Sequence, residues 1–123
     1  MGNLLYGNLT EQIIGAAHEV HSALGPGMIE SVYEIALAHE VQLRGLPVRR
    51  QVRQAVSYKG VLAGEFFMDM VVDEKVLVEL KATSEHNKVF EVQVVYYLKG
   101  SGLRVGLLLN FGMESLCRKR FVN

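Results

Sequence analysis

The sequence predicts an α/β fold: a mixed central β-sheet with helices on both sides. Three observations predict it. The first 44 residues carry apolar side chains at helical spacing. From Val48 the repeat becomes an alternation. Two later segments, Glu65–Val72 and Val76–Lys81, are apolar on both faces, as central, doubly covered strands are.

Taken in order, Leu9 to Leu24 forms the first helix, with Ile13, Ile14, Ala17, Val20 and Leu24 on one side. Asn8 or Thr10 is the expected cap. Gly25-Pro26-Gly27 stops the helix, since its glycines accept backbone angles that other residues avoid. A second helix is expected from Met28 to Arg44, ended by Gly45. Its apolar arc holds Ile29, Val32, Tyr33, Ala36, Leu37 and Val41, and Glu30 falls inside that arc.

The next run is extended, with Val48, Val52, Val56 and Tyr58 on one side and Arg49, Gln51 and Arg53 on the other. Lys59-Gly60 turns the chain into a second strand, Val61–Val72. Asp73-Glu74-Lys75 turns it into a third, Val76–Ala82, so these two strands form a hairpin. Val89–Lys99 returns to helix and stops at Gly100-Ser101-Gly102. Leu103–Asn110 is a fourth strand, and Leu116–Val122 is compatible with a fifth. The order is ααβββαββ, and residues 1–123 contain no evident internal repeat or domain boundary.

Composition narrows the function. The 123 residues include 13 Lys+Arg and 13 Asp+Glu, so the formal net charge is zero. This weakens any case for strong non-specific duplex binding, which rests on many cation–phosphate contacts, but leaves room for a local basic patch. The one cysteine, Cys117, permits neither an internal disulfide nor a cysteine-built zinc site. No leader pattern and no membrane-length apolar run is present, so the expectation is a reduced, cytoplasmic protein.

Asp69, Glu79 and Lys81 interrupt the apolar hairpin, and charges at such positions need partners. If the turn holds three residues, Val72 pairs with Val76 and Asp69 lies opposite Glu79, with Lys81 on the same face. A two-residue turn sends Glu79 to the other face. Two carboxylates side by side repel by roughly 4 kcal/mol at about 4 Å with an effective dielectric near 20. Lys81 offsets part of this. A divalent cation offsets more, and oxygen ligands suit Mg2+ or Mn2+. The residue types fit two arrangements equally: a metal site, or an Asp–Lys–Glu ion network without chemistry.

Asp69, nine intervening residues and then Glu79-Leu80-Lys81 resembles the signature of the PD-(D/E)XK nuclease superfamily. Gly27-x-x-Glu30-x-x-Tyr33 is similar to the motif that names the GxxExxY family within it. Gln93-x-x-x-Tyr97 resembles the glutamine–tyrosine motif of RecB-like nucleases. Gly25-Pro26-Gly27, Tyr58-Lys59-Gly60 and the Leu103–Gly112 stretch extend the similarity over nearly the whole chain. Met68 stands where the superfamily often has proline, a position that is not a ligand.

The resemblance implies a restriction-endonuclease-like core and a Mg2+- or Mn2+-dependent phosphodiesterase site acting on nucleic acid. It makes Asp69, Glu79 and the Leu80 carbonyl metal ligands, with Glu30 a further carboxylate. Lys81 and Gln93 become catalytic groups, and Tyr33 and Tyr97 candidate substrate contacts. It names no substrate. A catalytically inactive module that binds nucleic acid or protein remains the alternative, as does a domain completed by a second copy or a larger partner.

Other polar groups carry less. His18 and His21 are three apart with no third ligand evident, so packing or capping near the Gly-Pro-Gly loop suits His21 better than zinc. Arg49, Arg50, Arg53 and the Arg118-Lys119-Arg120 run are candidate phosphate contacts, although solvated strand faces and edge protection explain each alone better.

Overall fold

A computed structural model of the chain describes residues 4–123, so the first three residues of the expected 1–123 domain lie outside the described residues. Its elements are α1 (Gly7–Leu24), α2 (Glu30–Leu43), β1 (Val48–Tyr58), β2 (Val61–Val72), β3 (Val76–Lys81), α3 (Lys88–Ser101), β4 (Val105–Asn110) and β5 (Cys117–Val122). The strands form one sheet in the order β1-β2-β3-β4-β5. β3 and β4 are parallel and every other neighbour is antiparallel. A parallel pair needs a crossover, and α3 supplies it. The expected ααβββαββ order and mixed sheet are therefore present.

Side-chain alternation divides the core into two layers. Met70, Val72, Val76, Val78, Leu80, Val105, Leu107 and Leu109 pack against α1 and α2. Val71, Leu77 and Leu108 pack against Val94, Tyr97 and Leu98 of α3. β3 and β4 are buried on both faces, which explains their unbroken apolar sequences.

Three local expectations are corrected. Neither Asn8 nor Thr10 caps α1: the helix starts at Gly7 behind Tyr6, at φ 54°, without a side-chain cap, and the Thr10 hydroxyl donates to the Gly7 carbonyl at 3.1 Å. The buried arc of α2 is Tyr33, Glu34, Leu37, Ala38 and Val41, while Ile29 (70% exposed) and Val32 face solvent. The cause is an anchor at the helix start. The Tyr33 hydroxyl donates to the Gly25 carbonyl and accepts from the Met28 N–H at 3.1 Å, and its ring stacks on Phe111 at 4.8 Å. That anchor turns the helix so that Glu34, not Ile29 or Val32, faces inward.

The third correction concerns β1. Val48 packs with the α1/α2 layer and Val52 with the α3 layer, although two residues of an ideal strand share a face. Their partners on β2 do the same: Met70, next to Arg50, lies on the first layer and Met68, opposite Val52, on the second. Gln51, at φ 51°, sits at this reversal. Beyond it the two strands run on as a two-stranded arm of about 25 Å at roughly 3.3 Å per residue, ending at Lys59-Gly60 with Tyr58 and Val61 exposed.

The loop ends beside β3 and β4 are tied by Asn110. Its side-chain carbonyl accepts from the N–H groups of Thr83 (3.1 Å) and Gly112 (3.0 Å), and its amide donates to the Thr83 hydroxyl at 3.0 Å. Gly112 lies so close that a Cβ there would stand 2.4 Å from the Thr83 nitrogen and 2.5 Å from the Ala82 carbonyl carbon. Backbone cannot move aside as a side-chain end can. Gly112→Ala is expected to lower the urea midpoint by the equivalent of about 2–3 kcal/mol. Gly64→Ala, where a Cβ meets nothing within 4 Å, is expected to be neutral or stabilising by about 0.5 kcal/mol. Equal midpoints for the two variants would contradict this account of the loop.

Candidate active site

The Asp73-Glu74-Lys75 turn sets the register on which the site depends. Asp73 and Glu74 adopt φ 53° and 55°, the Lys75 N–H donates to the Val72 carbonyl at 3.0 Å, and Val72 pairs with Val76. This is the three-residue turn that places Asp69 opposite Glu79. The ladder itself stops one step earlier, at Met70–Val78. Where the next pair would form, the strands exchange side chains instead. The Asp69 N–H donates to Glu79 Oε1 at 2.9 Å, and the Leu80 N–H donates to Asp69 Oδ2 at 2.9 Å. Each carboxylate thus satisfies a backbone N–H of the opposite strand and holds the two strands apart.

Glu79 is buried at 3% exposure, and burial pushes its pKa up to about 9, with the Asp69 charge adding to the shift and the Asp69 N–H and the Lys81 charge opposing it. Lys81 does not ion-pair with either acid. Its Nζ donates to Gln93 Oε1 at 2.8 Å and lies 4.9 Å from the Phe90 ring centre. Gln93 Nε2 in turn donates to the Tyr97 hydroxyl at 2.7 Å, and the Tyr97 ring stacks on Phe66 at 4.2 Å. Gln93 and Tyr97 share a face of α3 because they are four residues apart. The lysine is therefore held in position by a neutral amide rather than neutralised by an acid.

Glu30 opens α2 at the edge of this cluster. Partial desolvation raises its pKa first, the Asp69 charge adds to this, and the Lys81 charge lowers it. No hydrogen bond or ion pair joins Glu30 to Asp69 or Lys81 among the described residues, and its side chain meets solvent. Tyr33, one turn on, is fully buried and spends its hydroxyl on the Gly25–Met28 loop, so it braces the start of α2. Tyr97 is nearly buried and braces Gln93. The Leu80 side chain belongs to the core, leaving only its backbone beside Asp69.

Sequence reasoning missed a second group. Glu34 is buried, and its carboxylate accepts from Arg50 Nε (2.9 Å), Arg50 Nη2 (2.8 Å) and Gln51 Nε2 (2.8 Å). Gln51 Nε2 also approaches Asp69 Oδ1 at 3.5 Å. This chain of contacts ties α2 to the strand reversal and reaches Asp69 from behind. The available signal was Glu34 itself, one helical turn after Glu30. Gln51 offered none, because a left-handed glutamine in a strand is set by tertiary packing. His21 packs, but against the loop after β4 rather than the Gly-Pro-Gly loop: its Nε2 lies 2.9 Å from the Met113 carbonyl and its ring is tilted against Phe111.

Among the described residues, no three His, Cys, Asp or Glu side chains converge as a ready-made metal site. The donor set is nonetheless suited to a hard divalent cation. Asp69 and Glu79 each commit one oxygen to a backbone N–H, and neither has a cationic hydrogen-bond partner among the described residues. Two carboxylates make an open, incomplete set, which a backbone carbonyl, Glu30, water or a substrate oxygen would complete.

The raised pKa of Glu79 has a direct consequence for stability. The folded chain keeps a proton that the unfolded chain loses near pH 4.5, so the associated stability is full below that pH and drains away as pH rises through about 9. In chelator-treated protein, the urea midpoint is expected to fall between pH 5 and 9, and Glu79→Gln should flatten that fall. A flat profile for the unmodified chain would overturn the assignment.

Comparison with known proteins agrees with the architecture. A family model of the PD-(D/E)XK nuclease superfamily matches residues 7–121. No curated protein matches the sequence. The crystal structure of SSO0001 has a similar fold, with a TM-score of 0.54 at 12% identity; the match covers 96% of this chain and 59% of that one, so this chain spans little more than half its length. Among the described residues no helix is long and apolar enough to cross a membrane. With nearly its whole length matched by that family model, and with Asp69, Glu79 and Lys81 on adjoining strands of the expected sheet, the chain belongs to the PD-(D/E)XK nuclease superfamily.

Proposed function

We propose that this chain is a phosphodiester hydrolase acting on nucleic acid and dependent on Mg2+ or Mn2+. The observation that carries the reading is the exchanged hydrogen bonding at Asp69 and Glu79, beside a lysine that leaves both acids free of an ion pair. A structural salt-bridge network would turn Lys81 toward the carboxylates. Here Lys81 is turned toward Gln93.

On this reading Asp69, Glu79 and the Leu80 carbonyl hold the cation, with Glu30 contributing directly or through water. A bound divalent cation supplies polarisation of a phosphoryl oxygen and a lowered pKa for water. The chain's own groups do the rest. Lys81, fixed by Gln93, presents an ammonium that orients the attacking water or stabilises charge developing on the phosphate. Gln93 sets the direction of that ammonium, and Tyr97 fixes the rotamer of Gln93. Glu34, through Gln51, limits the freedom of Asp69.

One observation favours a second reading, a module that binds without cutting. Both carboxylates already satisfy backbone N–H groups, and no third acidic side chain converges on them among the described residues. Calorimetric titration separates the two readings. The nuclease reading expects Mg2+ or Mn2+ to bind at millimolar concentration or tighter, and binding to be lost in Asp69→Ala. It also expects cleavage of at least one of single- or double-stranded DNA or RNA, falling by about 100-fold or more in Asp69→Ala and in Lys81→Ala. Cleavage undiminished in Asp69→Ala sinks the nuclease reading, whereas nucleic-acid binding without metal uptake supports the module.

A further inference from the structure

A concavity of about 410 Å³ lies between the β1–β2 arm and the last turns of α3. Val56 and Phe66 form its wall on the arm, and Tyr96, Lys99 and Gly100 form its wall on the helix. Its two walls are tied together by Gln54, whose amide crosses from the arm to the Gly100 carbonyl at 2.9 Å. The groove is thus built by two elements joined to each other rather than by one loop.

Three features indicate what fits it. Tyr96 is 63% exposed on a helix whose inner tyrosine, Tyr97, is nearly buried, so an aromatic face is presented to the groove from a rigid support. Lys99 lines the groove and has no ion-pair partner among the described residues. No acid lines the groove, and Glu65, the neighbour of Phe66 on β2, is paired with Arg53. An aromatic face beside a free lysine, with no acid in the lining, suits a planar, uncharged ring attached to a phosphate.

Side-chain contacts link the groove to the acidic cluster. Phe66, in its wall, stacks on Tyr97, which bonds Gln93, which holds Lys81. Along β2, Phe66 precedes Asp69 by three residues, or about 10 Å, a separation of one or two nucleotides of an extended strand.

We infer that the groove between the β1–β2 arm and α3 receives an unpaired nucleobase, stacked on Tyr96 with a neighbouring phosphate at Lys99, so that the chain takes single-stranded nucleic acid or a strand end rather than an intact duplex. The inference rests on the proposed function and deepens it, but it concerns binding and is tested without cleavage. A base pair within a stacked duplex cannot offer its face to Tyr96. The unpaired base can, and DNA and RNA present the same face.

The test is fluorescence anisotropy with labelled oligo-dT and oligo-U of about a dozen nucleotides, against a blunt duplex of equal length, in chelator to prevent any cleavage. The full chain is expected to prefer both single strands to the duplex. Tyr96→Ala should weaken single-strand binding about tenfold, Tyr96→Phe should restore it, and Lys99→Gln should weaken it while flattening its salt dependence. Circular dichroism and urea midpoints check that the exposed substitutions leave the fold intact. The proposal is overturned if Tyr96→Ala binds like the unmodified chain, if Tyr96→Phe fails to restore binding, if the duplex is preferred, or if no oligonucleotide binds. It is equally overturned if Tyr96→Ala instead abolishes self-association seen by sedimentation, because the groove would then be a contact between copies. If single-strand binding through Tyr96 stands while Asp69→Ala leaves metal uptake unchanged, the proposed function fails and this inference survives.

Discussion

Much of this structure follows from one local conflict: a carboxylate must occupy the middle of a sheet. Glu79 cannot take its place in a regular ladder and remain hydrated. The conflict is settled by opening the ladder at that pair, so that Glu79 and Asp69 each accept the N–H of the other strand's backbone. The buried carboxyl gains a donor without a counter-ion, and two backbone groups that lost ladder partners are satisfied. From that break β2 diverges from β3, the facing of β1 and β2 reverses around Gln51, and the arm leaves the sheet.

The opening lies toward the carboxyl end of β3, beside the one parallel pair of the sheet. Ends of parallel strands are where open α/β sheets leave a crevice, because the chain departs there to its crossover. In this chain both sides of the crevice are braced. On one side Tyr33 and Phe111 stack and fix the start of α2, which delivers Glu30 and Glu34. On the other, α3 leaves β3 through the loop tied by Asn110 and delivers Gln93 and Tyr97. The acids come from the hairpin and α2, and the groups that hold Lys81 come from α3. No single element contains the cluster, which explains why its parts are spread over so much of the sequence.

The element order was legible from the hydrophobic period, and the meeting of Asp69 with Glu79 was legible from strand register once the turn holds three residues. That Gln93 and Tyr97 share a helix face was legible from their four-residue spacing; a place beside Lys81 was suggested only by the family resemblance. Three features were not legible. The inward face of α2 depends on a hydroxyl bond from Tyr33 to a loop eight residues earlier, which rotates Ile29 and Val32 outward and Glu34 inward. The face reversal at Gln51 depends on a break that begins on another strand. The partner of Lys81 depends on α3 crossing the sheet, and charge alone would have assigned it to the acids. Each failure is tertiary geometry overriding a local pattern, and two of the three lie at the cluster itself.

Net charge was the least informative quantity in the sequence, and the structure explains why. Equal numbers of acids and bases say nothing about where the unpaired ones stand. Asp69 and Glu79 meet at the opening of the ladder, and burial first, then the Asp69 charge, raises the pKa of both Glu79 and Glu30. Lysines without ion-pair partners among the described residues stand at the arm tip and along α3, while Glu65 and Glu91 on those elements are already paired. A polyanion responds to this local arrangement, because charges farther away than about 8–10 Å are screened at physiological salt. The separation also assigns different tasks to the two regions. The carboxyl cluster offers phosphate no partner but Lys81 until a cation is present, while a cationic and aromatic flank can hold a strand without one. On the proposed reading, binding and cutting are therefore separable properties of this chain, located on opposite sides of the Phe66–Tyr97 stack.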